Sequence, residues 1–118
     1  MSMTEFERKL ADLIWDNEPI ASGELVKLCE VNLQWKKSTT YTMLKRICEQ
    51  KMFQNENATV TSLVSREEYL QGQGEQFLEQ NFGGSIPSFL AAFMNRQKLT
   101  RKQIQEIRDM IDRYEEDE

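Results

Sequence analysis

The order of apolar and polar positions divides the chain into helices, a short two-strand stretch, and further helices. Phe6, Leu10, Leu13 and Ile14 recur at helical spacing, which predicts a first helix from Thr4 to about Asn17. Thr4 can cap its start, and Glu5 and Glu7 suit its first turn. Glu18-Pro19 stops it, because a residue before proline avoids the helical region. Ser22 offers the cap of a second helix running to about Val31, with Leu25, Leu28 and Cys29 facing inward. Trp35 lies in a short polar connection, and a third helix follows from about Lys37 to Lys51. Its Thr40, Met43, Leu44 and Ile47 share one side, while Ser38, Thr42, Lys45 and Glu49 share the other. The period then changes. Met52-Phe53 and Thr59-Val60-Thr61-Ser62-Leu63 are β-favouring runs around the polar turn Asn55-Glu56-Asn57-Ala58, a short hairpin. Three helices and then a hairpin is the element order of a winged helix-turn-helix.

The second half is patterned differently. Ser65-Arg66-Glu67-Glu68 is a capping box that opens a helix through Phe82, with Tyr69, Leu70, Phe77 and Leu78 on its apolar side. Gly72 and Gly74 weaken its middle, and Gly83-Gly84 ends it. Ser85 caps a short helix holding Phe89, Leu90 and Phe93. Thr100 and Gln103 form another capping box, opening a last helix with Ile104, Ile107, Ile111 and Tyr114 in a narrow stripe. Glu115 to Glu118 are expected to fray. Three thin stripes cannot bury much surface alone. Packing onto the N-terminal module or against a second copy relieves this; a monomer with a helical appendage is the bland alternative. The fold class read from the sequence is mainly α (α+β). A winged helix-turn-helix domain spans residues 1–64, and a small helical dimerisation domain spans 65–118.

Composition narrows the chemistry. Six Phe, two Trp and three Tyr among 118 residues can anchor a core, while 30% charged residues give a soluble profile. No run approaches the roughly 18–20 apolar residues of a membrane span, and the N-terminus lacks a signal-peptide core, so a cytoplasmic location is expected. With no His at all, there is no Ser-His or Cys-His dyad, no His-based general acid and no HExxH metal site. Cys29 and Cys48 do not make a disulfide scaffold and read as small buried hydrophobes. The residues point to a binder, with no enzyme activity, cofactor or metal expected.

The net charge of −5 weighs against nucleic acid until its placement is considered. Residues 1–64 carry a balance of −1 and residues 65–118 carry −4, whereas Lys36 to Lys51 holds five cations against Glu49, a local +4. The exposed side of this helix combines Ser38, Thr39, Thr42, Lys45 and Arg46, with Tyr41 on the border. Hydroxyls and cations near a helix N-terminus can bond phosphates and base edges. An ordinary solvated face carries the same charge, but the preceding helix and following hairpin favour a DNA reader. Trp35 reads as a core anchor of this helix, and Trp15 as part of the first helix's packing.

The same residues carry a resemblance. Trp35-Lys36-Lys37-Ser38-Thr39-Thr40-Tyr41-Thr42-Met43-Leu44-Lys45-Arg46-Ile47 resembles the recognition-helix stretch of the penicillinase-repressor family. Ser62-Leu63-Val64-Ser65 is similar to that family's wing exit. Phe82-Gly83-Gly84-Ser85 and Ser88-Phe89-Leu90-Ala91-Ala92-Phe93 resemble its dimerisation region. Leu99-Thr100 and Gln103 to Ile111 resemble its final helix, so the likeness spans roughly residues 4–112. It implies a homodimeric winged-helix repressor on a dyad operator of double-stranded DNA, controlling a β-lactam-resistance or envelope-stress gene. In the best-known members a membrane-bound β-lactam-sensing protease relieves repression by cutting an Asn-Phe bond, whose counterpart here is Ala92-Phe93. Three departures stand out. Ala92 replaces Asn, Lys37 replaces a usual Pro, and the wing from Gln54 to Thr61 is short, with Glu56 and no cation. The CxCx4CxC metal site of a copper-responsive branch is missing, since no Cys follows Cys48.

Together these give Ser38, Thr39, Thr42, Lys45 and Arg46 as DNA-facing residues, Tyr41 as secondary, and Lys36 and Lys37 as phosphate contacts. Phe82, Phe89, Leu90, Phe93, Ile104, Ile107 and Ile111 form the expected dimer core. The rival reading is a winged-helix protein–protein module without sequence-specific DNA binding.

Overall fold

The computed structural model describes residues 2–117. Its elements run α1 (Glu5–Asn17), β1 (Ile20–Ala21), α2 (Ser22–Leu33), α3 (Lys37–Glu49), β2 (Phe53–Glu56), β3 (Thr59–Ser62), α4 (Arg66–Phe82), α5 (Ile86–Arg96) and α6 (Arg101–Asp117). The chain divides into two compact units, Met1–Glu75 and Gln76–Glu118, which meet inside α4.

The first unit closes a core at the junction of α1, α2, α3 and the sheet. Leu10, Ile14, Leu25, Cys29, Ile47, Met52, Phe53 and Val60 are fully or almost fully buried. Each large aliphatic or aromatic side chain among them contributes about 1.5–3 kcal/mol of burial. The apolar spacing of α1 and α3 thus does what it predicts for Leu10, Ile14, Leu44 and Ile47. Phe6 departs from the expected inward stripe. It is 55% exposed and lies at the edge, its ring 6.3 Å from that of Trp35. Trp35 itself is half-buried against the core, as a helix anchor should be.

The caps explain where helices begin. Thr4 Oγ1 accepts from Glu7 N at 3.2 Å and the Glu7 carboxylate accepts from Thr4 N at 2.9 Å, a reciprocal capping box. Ser22 is not the cap of α2. Ala21 occupies that position without a side-chain bond, because β1 draws residues 20–21 into extended pairing. This strand is absent from the sequence reading: two residues are too few to show a period. The sheet order is β1-β3-β2, all antiparallel, with Ile20 opposite Val60 and Phe53 opposite Ser62. The hairpin turn is two residues, Asn57 (φ 53°) and Ala58 (φ 58°), shorter than the expected four. Paired positive φ values give the mirror-image turn that matches strand twist. Glu18, at the end of α1, accepts from both Ser62 N and Ser62 Oγ at 2.8 Å and ties the sheet to the helix.

Residues at the start of α4 belong with this unit through one cluster. Arg66 donates to Asp12 (3.2 Å) and Asp16 (2.9 Å) on α1, and its guanidinium lies 5.4 Å from the Trp15 ring. Trp15 donates its indole N–H to Val64 O at 3.0 Å and packs on Phe53 and Tyr69.

In the second unit Gly83 (φ 57°) and Gly84 (φ 78°) end α4 in the left-handed conformation that favours glycine. Ser85 Oγ accepts from Ser88 N at 3.1 Å to start α5. Thr100 and Gln103 cap α6 reciprocally at 2.9 and 3.0 Å. This helix continues through residues 115–117, which were expected to fray; Glu118 lies outside the described residues. Continuous i to i−4 pairing carries the acidic end along. Among the described residues of this unit none is buried.

Candidate nucleic-acid interface

The connection between α2 and α3 is three residues, and it sets how α3 is presented. Gln34 adopts φ 56°, a left-handed step that ends α2, and Trp35 N donates to Cys29 O at 3.2 Å. Lys36 then takes the cap position of α3 without a side-chain cap bond. With Thr40, Leu44 and Ile47 locked into the core, helical geometry turns the opposite side outward. There Ser38, Thr42, Lys45, Arg46 and Glu49 are exposed, as are Lys36 and Lys37 at the helix start. Thr39 is half-buried, lying nearer the core side than the sequence suggests.

The charges of this surface are loosely held. Lys45 Nζ reaches Glu49 Oε1 at 4.0 Å with both side chains mostly exposed, a pair worth little in water. Lys37 Nζ stands 6.0 Å from the centroid of the Tyr41 ring, one turn on. The Tyr41 hydroxyl donates to Ser22 Oγ at 3.4 Å, a long bond to the first residue of α2. Ser22, expected as the cap of α2, is instead a contact of Tyr41. Nothing in the linear sequence ties it to Tyr41; only the crossing of α2 and α3 does.

Cations are available on α3 and absent on the wing. The hairpin presents Asn55, Glu56, Asn57 and Thr59 outward, with Gln54 half-buried, and Ala58 O accepts from Ser22 N at 2.9 Å, extending the β1–β3 ladder by one bond. Both cysteines are remote from chemistry. Burial pushes the Cys29 thiol up, with a smaller opposing pull from Thr40, and burial alone raises Cys48. Among the described residues no group of three His, Cys, Asp or Glu could hold a metal ion, and no helix is long and apolar enough to cross a membrane.

The expected dimer residues gather in the second unit. Phe82 and Phe89 meet edge-on at 5.5 Å, Phe77 joins both, and Phe93 lies 6.2 Å from Phe89. Ile86, Leu90, Ile107, Met110, Ile111 and Tyr114 line an almost wholly apolar groove between α5 and α6, with Ile104 beside Leu90 and Ile107 in an adjoining one. Ala92 and Phe93 occupy the middle of α5, and Phe93 O accepts from Gln97 N at 3.0 Å.

Comparison with known proteins agrees with this layout. The penicillinase repressor family model matches residues 3–113. The chain belongs to this family. A penicillinase repressor of Staphylococcus aureus is 23% identical, the match covering 94% of this chain and 90% of that protein. A penicillinase repressor of Bacillus licheniformis is 19% identical over 95% and 91% of the two chains. A penicillinase-repressor family member with a winged-helix fold is a DNA-binding regulator of transcription. Its role is regulatory, in line with the residues on α3.

Proposed function

We propose that the protein is a homodimeric transcriptional repressor that reads a dyad DNA operator with α3. The observation that carries this is the two-sidedness of α3: one side is sealed into the core, and the other offers hydroxyls and cations, with Lys45 held only by a weak, exposed 4.0 Å pair to Glu49. Lys36 and Lys37 bind phosphates. Ser38, Thr39, Thr42, Lys45 and Arg46 face the groove, with Tyr41 at the border. The wing has no cation and contributes little to phosphate binding, so affinity depends on α3 and on occupying both half-sites. The unburied apolar stripes of α5 and α6 support dimerisation through Phe82, Phe89, Leu90, Phe93, Ile104, Ile107 and Ile111.

The relatives' names support a β-lactam-resistance or cell-envelope-stress gene as the regulated target. Cutting Ala92-Phe93 would sever α5 and separate the α6 stripe from the rest of the interface. Repression in the cytoplasm is relieved by proteolysis of this kind, through a membrane-bound sensor protease, or by another signal. The bond lies within a helix, so cleavage requires α5 to unwind locally first.

The test is electrophoretic mobility shift with the DNA upstream of the chain's own gene. Wild-type protein gives salt-dependent, sequence-preferring binding, and the Lys45→Ala/Arg46→Ala double variant loses it. Equal affinity for scrambled DNA would overturn operator reading and favour the protein–protein module.

A further inference from the structure

We propose that Tyr41 reads a thymine methyl group in the major groove, and that Ser22, braced by the wing tip, is the positioning residue that holds its ring for this. The inference rests on the operator-reading role of α3 and adds a base-specific contact and a task for the wing.

Three observations converge. Ser22 is freed from capping, is only 8% exposed, and its hydroxyl accepts from the Tyr41 phenol at 3.4 Å. Its backbone N–H donates to Ala58 O at 2.9 Å, so the turn of the hairpin fixes Ser22 from behind. Lys37 Nζ stands 6.0 Å from the Tyr41 ring centroid, a loose contact that leaves the cation free for phosphate while the ring stays bonded to Ser22. A ring held at its hydroxyl loses less freedom on binding than a free one.

The chemistry of what remains exposed decides the ligand. Tyr41 is 37% exposed and its hydroxyl is turned back toward α2, so ring carbon is what it can offer a partner. Thymine carries the apolar substituent of the major-groove floor, its C5 methyl, and apolar side chains discriminate it there. Ser38, Thr42 and Lys45 next to Tyr41 supply the polar contacts. The wing, which carries Glu56 and no cation, acts through the bond from Ala58 O to Ser22 N and not by touching phosphate.

The experiment compares the upstream DNA made with thymine and the same fragment made with deoxyuridine, which lacks only the methyl. Each methyl read should be worth about fourfold in affinity, so a dimer using two weakens roughly tenfold or more on the uracil probe. Tyr41→Ala should bind the thymine probe more weakly and show a much smaller thymine-to-uracil ratio. Ser22→Ala should shrink the ratio with an unchanged melting temperature, and Ser22→Thr should restore it. An equal ratio in wild type and Tyr41→Ala, or an unshifted ratio in Ser22→Ala, would overturn the proposal. If wild-type binding still depends on Lys45 and Arg46 while the ratio fails to respond, only this inference falls. If wild type shows no sequence-preferring binding, operator reading falls with it.

Discussion

Glu7 shows how one side chain links a local signal to the tertiary fold. Its carboxylate closes the Thr4 cap and also accepts from Gln50 Nε2 at 2.9 Å, joining α1 to the end of α3 while only 4% exposed. The backbone bond from Thr4, with smaller help from Gln50 and Arg46, holds its carboxyl below the ordinary value of 4.5 against the cost of burial. A lowered folded value means that the stabilisation is fully present above about pH 4.5 and is lost as pH falls through that lower value. Glu7→Ala should cost about 2 kcal/mol at neutral pH, through loss of the cap and an unpaired Gln50 amide. It should also flatten the acid limb of the melting-temperature profile; an unchanged limb would count against this role. The first-turn Glu was legible in the sequence. Its partner Gln50, 43 residues away, was not.

At the scale of elements, α4 carries two glycines with no steric task. A Cβ at Gly72 or Gly74 would meet nothing within 4 Å, whereas at Gly84 it would come within 2.9 Å of a Glu79 carboxylate oxygen and φ is +78°. Gly72→Ala and Gly74→Ala should each stabilise the protein by about 0.5–1 kcal/mol, and Gly84→Ala should destabilise it. Thermal unfolding followed by circular dichroism gives the sign of each. Caps and glycine stops made α1, α4, α5 and α6 readable because those signals are local. The strand β1 and the true cap of α2 escaped because strand pairing with β3, distant in sequence, overrides the preference of Ser22 for a cap.

For the whole molecule, the decisive asymmetry is that, among the described residues, every buried one lies at or before Tyr69, while the helical unit keeps its apolar stripes open. Ile107 lines both grooves of that unit with Leu90. Ile107→Glu should convert a dimer into a monomer in sedimentation at micromolar concentration and weaken operator binding at least a hundredfold, since the second half-site no longer arrives tethered. Trp15 and Trp35 both lie in the winged unit, so unchanged tryptophan fluorescence would show that unit intact. A variant that stays dimeric would refute the assigned interface. Residue type and short spacing alone were enough for the helix periods, the caps of α1, α4, α5 and α6, the cationic face of α3 and the family. The tertiary fold settled which of those faces was sealed, moved Ser22 out of the cap position and within reach of the Tyr41 hydroxyl, and bonded the hairpin turn to Ser22. Those outcomes depend on which elements cross in space, and no spacing along the chain encodes that crossing.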